Sequence, residues 1–230
     1  MLLVVLGACG RIGFDPGGLA TGDDGAGGGD GGPPGGDGSL VDGPGGSCIA
    51  PGNGCAFPGG LPCSCFGTPS MINAGMAENA ANHLRITPNA NTLGAQGSCV
   101  RTATPFGPGG AIVEIAQVVS GAEGLTAIQV GGGADVFTLS QRGGQLIAED
   151  GGGTVNAIPY FAFLMRWWRM RPNGLGVVFE YATNGMTWTT FAQSTRTPST
   201  TYTVRLIGGT LAAIAAPGFA QFNRVNLCGP

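Results

Sequence analysis

The sequence contains no lysine and only one histidine, His83, and just 10% of its 230 residues are charged. All ten basic residues are therefore arginines, and the formal net charge is −3. No basic patch is evident along the chain, so we expect no nucleic-acid partner. Any catalytic set that needs an imidazole would have to use His83, whose polar neighbours instead predict a surface or hydrogen-bonded residue.

Apolar side chains are scarce in the first quarter of the chain, where many of the 46 glycines are concentrated. Such a stretch loses much backbone entropy on folding and buries little surface in return. Its repeated Asp-Gly pairs lack the ligand spacing and terminal glutamate of an EF-hand calcium loop. The composition therefore predicts a disordered tether over residues 9–46, and no cofactor is expected.

The N-terminal residues 1–9 read M-L-L-V-V-L-G-A-C. The segment Leu6-Gly7-Ala8-Cys9 resembles a bacterial lipobox, which implies a signal peptide over residues 1–8 and diacylglycerol on Cys9. No arginine or lysine precedes the apolar run, and the run is shorter than the usual ~7–15 residues, so we expect the leader to begin further upstream. The alternative is a short buried strand with an incidental cysteine.

The lipobox followed by a tether resembles the arrangement of surface lipoproteins of Gram-negative bacteria. The resemblance implies an exported protein that is lipid-anchored to the cell envelope, at the outer membrane or the cell surface. Export into an oxidising compartment also favours disulfides over free thiols.

Six further cysteines are expected to form disulfides: Cys48, Cys55, Cys63, Cys65, Cys99 and Cys228. The first four crowd into residues 47–69, a segment too small for its own core. Their spacing does not match the paired knuckles of zinc sites, so two disulfides are favoured over a metal. Cys63 and Cys65 should not pair with each other, because alternate residues of an extended chain are not placed for a mutual bridge. We interpret residues 47–69 as a cysteine-rich collar that is cross-linked by disulfides.

From residue 70 to residue 230 the apolar pattern has a period of two, broken by Gly, Pro and Asn every few residues. This pattern predicts an antiparallel all-β sandwich or barrel. Its one helix-like stretch covers residues 75–84. The predicted strands cover residues 84–87, 99–104, 111–119, 126–130, 135–141, 145–148, 154–159, 165–171, 177–183, 187–192, 201–207, 211–215 and 219–227.

Two turn signals define the central hairpins. Asn184-Gly185 predicts a two-residue type I′ turn. The letters P-N-G at 172–174 predict a second hairpin, in which Trp168 lies opposite Phe179 on the buried face. Met170 would then face Val177, and Arg166 and Tyr181 would share this face.

The runs R-W-W-R-M-R at 166–171 and E-Y-A-T-N-G-M-T-W at 180–188 resemble concanavalin A-like jelly-roll domains of the laminin-G/glucanase type. V-E-I-A-Q-V-V at 113–119 and the strand at 136–142 resemble earlier strands of such domains. The likeness covers about residues 80–228 and implies a jelly-roll β-sandwich. In such sandwiches the terminal strands often run side by side, which implies a bridge between Cys99 and Cys228.

Hydrolases of this superfamily carry two glutamates and an aspartate on one strand as E-x-D-x-x-E, and no such motif is present here. Glu114 and Glu180 could meet in space, but the sequence does not bring them together. Glu149-Asp150-Gly151 is typical of a solvated turn. We therefore expect a non-catalytic envelope protein with a binding or structural role, its candidate ligand a glycan. The alternative is a divergent glycoside hydrolase.

Trp167, Arg169 and Glu180 are the candidate ligand-binding residues. Successive strand residues point to opposite faces, so Trp167 should face outward while Trp168 is buried. An indole flanked by a guanidinium and a carboxylate could stack on a sugar ring and bond its hydroxyls. The alternative is that Trp167 lies under the collar or a loop, or stacks on an arginine.

The lipobox prediction is tested on Cys9. A chain expressed with a restored upstream start should partition into the detergent phase, because two or three acyl chains anchor a protein where a single chain is marginal. Cys9→Ala should move the protein to the aqueous phase. Equal partitioning of the variant and the wild type would contradict lipidation.

Overall fold

The structure is a computed structural model, and it describes residues 55–57, 59–79, 81–132, 135–199 and 201–227. Cys9, Cys48, Cys228 and the whole of the predicted tether lie outside the described residues. The described part contains fourteen strands and no helix, so it also has no helix long and apolar enough to cross a bilayer.

The strands form two seven-stranded antiparallel sheets. Sheet I has the order β1-β4-β13-β6-β7-β8-β9, and sheet II has the order β12-β11-β10-β5-β14-β3-β2. The strands are β1 (Thr68–Ile72), β2 (Ala74–Asn79), β3 (His83–Pro88), β4 (Gln96–Pro105), β5 (Ala111–Gln117), β6 (Gly124–Gly132), β7 (Asp135–Arg142), β8 (Gln145–Asp150), β9 (Gly153–Pro159), β10 (Trp167–Pro172), β11 (Val177–Ala182), β12 (Thr189–Ser194), β13 (Thr201–Thr210) and β14 (Ala220–Leu227).

The all-β sandwich predicted from the sequence is confirmed, with corrections to individual elements. The helix predicted over residues 75–84 is wrong, because that stretch forms β2 and the start of β3. The strand predicted at 211–215 is also wrong. Alternation is weak in β2, where Ala, Gly and Asn separate the larger side chains, so pairing with β3 and not the local pattern determines the structure.

The two central hairpins differ from their predicted turns. Asn184-Gly185 does not form a two-residue turn, since β11 ends at Ala182 and β12 begins at Thr189. The Asn184 carboxamide oxygen instead accepts the N–H groups of Met186 and Thr187, and this stabilises a longer loop. In the other hairpin Trp168 lies opposite Tyr181, a shift of two residues from the prediction. A shift of two keeps the side chains within the two strands on their predicted faces.

The core lies between the two sheets. Sheet II contributes Val113, Trp168, Met170, Phe179 and Phe222, all fully buried. The Trp168 indole donates its N–H to the carbonyl oxygen of Met165 at 2.8 Å, so its one polar atom is satisfied inside the core. The predicted inward orientation of Trp168 is confirmed.

The cysteine-rich collar packs on the sandwich. Phe57, Cys63 and Phe66 belong to the main hydrophobic core. Cys55 forms a bridge with the strand residue Val225 through backbone hydrogen bonds in both directions. The collar therefore covers one part of the domain core, which is consistent with its being too small to build a core alone.

Two disulfides lie within the described residues. One joins Cys55 to Cys65 inside the collar, and the other joins Cys63 to Cys99 on β4. The predicted bridge between Cys99 and Cys228 is therefore wrong. The physical reason is the position of β1, which follows the collar directly and pairs with β4. This pairing brings Cys63 beside Cys99, with 5.5 Å between their Cα atoms. As predicted, Cys63 and Cys65 do not pair with each other.

The Cys63–Cys99 bridge should stabilise the domain by constraining the unfolded chain. A sequence separation of 36 residues corresponds to about 3–4 kcal/mol in the chain-entropy model. We expect Cys63→Ser with Cys99→Ser to lower the free energy of unfolding by that amount. Peptide mapping under non-reducing conditions should recover a Cys63 peptide linked to a Cys99 peptide. Recovery of Cys99 linked to any other cysteine would contradict this connectivity.

Candidate functional site

The outer face of sheet II, which points away from the sandwich core, carries most of the charged side chains of that sheet. Alternation along β5 and β10 places Glu114, Trp167 and Arg169 on this face, because Val113, Trp168 and Met170 are in the core. All three ligand-binding candidates from the sequence therefore lie on one face, together with Glu114.

Glu180 forms the centre of a buried ionic cluster. Its Oε2 accepts the Nε–H groups of Arg169 at 2.6 Å and Arg171 at 3.1 Å. Its Oε1 accepts from Arg171 Nη2 at 3.1 Å and from the hydroxyl of Thr190 at 3.2 Å. The side chains of Arg169 and Glu180 are only 2% and 3% exposed. This carboxylate is therefore fully occupied by protein donors.

The guanidinium of Arg169 also lies under an indole ring. Its Cζ is 4.2 Å from the ring centroid of Trp188, in the loop after β11. Burial lowers the pKa of Arg169 from its usual value, while the hydrogen bond and charge of Glu180 act in the opposite direction. Arg169 Nη2 has no hydrogen-bond partner.

The prediction that Trp167 faces solvent is wrong. Trp167 is on the outer face, but it is only 8% exposed and packs with Ile112, Ala182 and Trp188 in a second small hydrophobic cluster. Gly185 lies against its indole: a Cβ at Gly185 would be 2.9 Å from the ring, and the φ of +72° already favours glycine. The loop thus covers Trp167, as the alternative interpretation held. Arg169 and Glu180 are covered with it, so these three residues do not form an open sugar-binding platform.

Glu114 forms a second cluster, on β5. Its Oε1 is 2.5 Å from Arg166 Nη2 and accepts the amide of Asn223 at 3.4 Å, and its Oε2 is 3.9 Å from Arg224 Nε. Glu114 is nearly buried, whereas the side chains of Arg166 and Arg224 are 52% and 41% exposed. Arg166 was predicted to share the inner face with Trp168. It precedes β10, however, and its side chain reaches the outer face at Glu114.

The two outer-face glutamates do not form a catalytic pair. Glu114 lies opposite Trp167, and Glu180 lies opposite Arg169. They are thus two strands apart and offset by two residues, which places their Cα atoms about 12 Å apart. Each carboxylate is also engaged by a separate set of partners, Glu180 by Arg169, Arg171 and Thr190, and Glu114 by Arg166, Arg224 and Asn223. Trp167 fills the space between the two clusters.

An open groove of about 350 Å³ lies beside the Glu114 cluster. Ile115 and Ala116 of β5 form one side, and Arg166 and Thr183 line it further along. Phe163, which is 82% exposed, stands at the rim. The groove therefore combines an exposed aromatic ring with a guanidinium that contacts Glu114, which is the combination that sugar rings and their hydroxyls can use.

The remaining candidate residues lie elsewhere and have structural contacts. Asp150 accepts the hydroxyl of Ser194 at 2.7 Å and the N–H of Gly152 at 2.8 Å, so it ties the β8–β9 turn to β12. Glu149 pairs with Arg142 at 3.6 Å. His83 is half-buried on β3, opposite Asn79 of the edge strand. Within the described residues no cluster of three His, Cys, Asp or Glu side chains could hold a metal ion.

The structure brings together arginines that the sequence leaves scattered. Arg85 on β3 alternates with the core residues Leu84 and Ile86, so it joins Arg166, Arg171 and Arg224 on the outer face. Its guanidinium lies 4.0 Å from the ring centroid of Phe219. The expectation of no nucleic-acid partner stays a prediction, since three of these four arginines are paired with Glu114 or Glu180. No local signal shows this clustering, because β3, β14 and β10 are distant in the chain and adjacent only in the sheet.

Comparison with solved structures identifies proteins that have a similar fold. The chain has a TM-score of 0.50 and 12% identity with an apo Crh5 transglycosylase, over 76% of this chain and 82% of that one. The same enzyme in complex with NAG has a TM-score of 0.51 and 12% identity, over 70% of this chain and 78% of that one. The fold is that of the concanavalin A-like β-sandwiches. A Bacillus licheniformis β-glucanase has a TM-score of 0.49 and 9% identity, over 70% and 87%. No protein-family model and no curated protein matches the chain.

The expectation of a non-catalytic protein needs correction. A transglycosylase is among the solved structures that share this fold, which counts against the expectation of a non-catalytic protein. The missing E-x-D-x-x-E motif was the basis for the expectation. A motif on one strand is a local feature, whereas a site on a sheet face is assembled from several strands, so the missing motif could not exclude an enzyme.

The burial of Trp167 gives a stability prediction. Trp167→Ala should lower the free energy of unfolding by ~3–5 kcal/mol, as for other large buried side chains, because it empties the cluster beneath the loop. Phe163→Ala serves as the control and should change the free energy of unfolding by no more than ~0.5 kcal/mol, since the Phe163 ring is exposed. Denaturant unfolding measures both. If the Trp167 variant is as stable as the Phe163 variant, then the loop does not cover the indole.

Proposed function

We propose that the domain is a divergent carbohydrate-active enzyme, a glycoside hydrolase or transglycosylase, that works on the outer face of sheet II at the cell envelope. Its substrate would occupy the groove beside Phe163 and Arg166, and Glu114 would be the reacting carboxylate. The observation that carries the proposal is the Glu114 cluster: a nearly buried carboxylate between two partly exposed arginines, one of which, Arg166, lines an open groove.

The comparisons support the carbohydrate part of the proposal. The similar Crh5 enzyme is a transglycosylase, and one of its structures holds NAG. Because sequence identity is only 12%, the likeness concerns the fold, and the site has to be argued from this chain. Glu114 is preferred to Glu180 because its two arginines are about half exposed and Arg166 lines the groove, whereas the arginines that bind Glu180 are more deeply buried.

The geometry limits the chemistry that Glu114 can perform. In a retaining reaction its carboxylate would form a bond to the anomeric carbon while the bond to the leaving oxygen breaks and that oxygen keeps the electron pair. Water or a sugar hydroxyl would then displace the carboxylate and release its proton to solvent. Among the described side chains that contact Glu114, the charged ones are the two arginines, and none is a second carboxylate.

A site without a second carboxylate lacks the general acid that would protonate the leaving oxygen, a contribution of about 10²–10⁴ in rate. We therefore expect slow cleavage of unactivated polysaccharide and faster cleavage of substrates whose leaving group needs no proton. Dinitrophenyl glycosides of glucose and N-acetylglucosamine are suitable probes, since release of dinitrophenolate can be followed by absorbance.

The test compares the wild type with two variants, Glu114→Gln and Glu149→Gln, on these dinitrophenyl glycosides. Glu114→Gln keeps the size of the side chain but removes the nucleophile, and it should lower kcat/KM by at least about 10³. Glu149→Gln on sheet I is the matched control and should retain wild-type activity, because its pair with Arg142 is partly exposed and remote from the groove. Wild-type activity in the Glu114 variant, or no release by any chain, would overturn the proposal.

A further inference from the structure

The charge of this protein is unevenly distributed between its two sheets. The outer face of sheet II has five arginines and two glutamates, which leaves an excess of three positive charges on a chain whose net charge is −3. The arginines are Arg85, Arg166, Arg169, Arg171 and Arg224. Counted over the strands alone, sheet II has four arginines and three acidic residues, and sheet I has three of each; Arg166, directly before β10, is the fifth arginine of the outer face.

No other acidic side chain of the sheet II strands offsets this excess. The third is Glu78 on β2, which alternates with Ala77 and accepts both the N–H and the hydroxyl of Ser64 in the collar. It is therefore engaged away from the arginines. Such an excess of one sign on one face produces a local potential that attracts ligands of the opposite charge.

We propose that the outer face of sheet II binds an anionic polysaccharide, with carboxylate or sulfate groups along the chain. That the ligand is a carbohydrate rests on the function proposed above; that it is anionic rests on the arginines alone. The charges of Glu114 and Glu180 are each matched by one arginine, which leaves one positive charge in each cluster. Arg85 supplies the third, since its recorded contacts are with Phe219 and the neutral side chain of Gln221.

The positions of these arginines fit an extended polymer better than a small anion. They lie on or beside β10, β14 and β3, with β5 between the first two. At ~4.8 Å between neighbouring strands the row is about 14 Å wide. The exposed guanidinium groups of Arg166 and Arg224 can each form paired hydrogen bonds with a carboxylate or sulfate. A chain lying across the strands would contact several of them in turn.

The test uses the full chain and measures its affinity for fluorescently labelled polygalacturonate and dextran sulfate, with neutral dextran as the reference. We expect binding to at least one anionic polymer and none to dextran. Comparing the two polyanions tells whether carboxylate or sulfate is the better ligand. Raising the ionic strength from ~0.01 M to ~1 M should abolish binding, because the Debye length falls from about 30 Å to about 3 Å.

Two variants locate the site. Arg224→Gln and Arg85→Gln should each weaken the Kd about fivefold, the effect of one partly exposed charge pair, while the thermal unfolding midpoint changes little. Arg101→Gln is the matched control, because Arg101 is exposed on β4 of sheet I. It should leave the Kd within about twofold of the wild type.

Three outcomes would overturn the inference: equal binding to dextran, equal effects of the sheet I and sheet II variants, or tighter binding of single-stranded DNA than of either polysaccharide. The last would identify the face as a nucleic-acid surface. Binding without any dinitrophenyl glycoside cleavage would contradict the proposed enzyme and leave the anionic ligand standing. Cleavage of the dinitrophenyl glycosides without polyanion binding would contradict the anionic ligand and leave the proposed enzyme standing.

Discussion

The shared carboxylate of Glu180 is the constraint on which the outer face of sheet II depends. A buried charge is tolerated only when it is paired and hydrogen-bonded, and here one carboxylate satisfies Arg169, Arg171 and Thr190 together. These partners lie on β10 and β12, on either side of β11, so the cluster links three strands. It also holds the Arg169 guanidinium beneath Trp188, and the same loop covers Trp167.

This arrangement explains why the two glutamates of the face have different roles. Glu180 is enclosed and bonded on all sides, whereas Glu114 lies beneath two arginines that remain half open to solvent. Trp167, opposite Glu114 on β10, is buried in its own hydrophobic cluster, and each carboxylate has its own set of partners. The proposed chemistry therefore uses Glu114, and the proposed binding uses the arginines of the face whose charge the two glutamates do not cancel.

The collar depends on the sandwich in a similar way. Its phenylalanines complete the main core, and its disulfide to β4 fixes the place where the chain enters sheet I. The pairing of Cys63 with Cys99 follows from the position of β1 beside β4. That position could not be seen in the sequence, because β1 has only exposed residues and no alternating pattern.

The sequence by itself determined the all-β class, most of the strands and the inward orientation of Trp168, because a period of two needs only the local order of apolar residues. Even the register error in the β10–β11 hairpin preserved the faces. Only the tertiary structure decided that Trp167, Arg169 and Glu180 are covered, that Cys99 pairs with Cys63, and that five arginines share one face. Each of these depends on which distant strands become neighbours and on where a loop lies, and alternation along one strand contains neither.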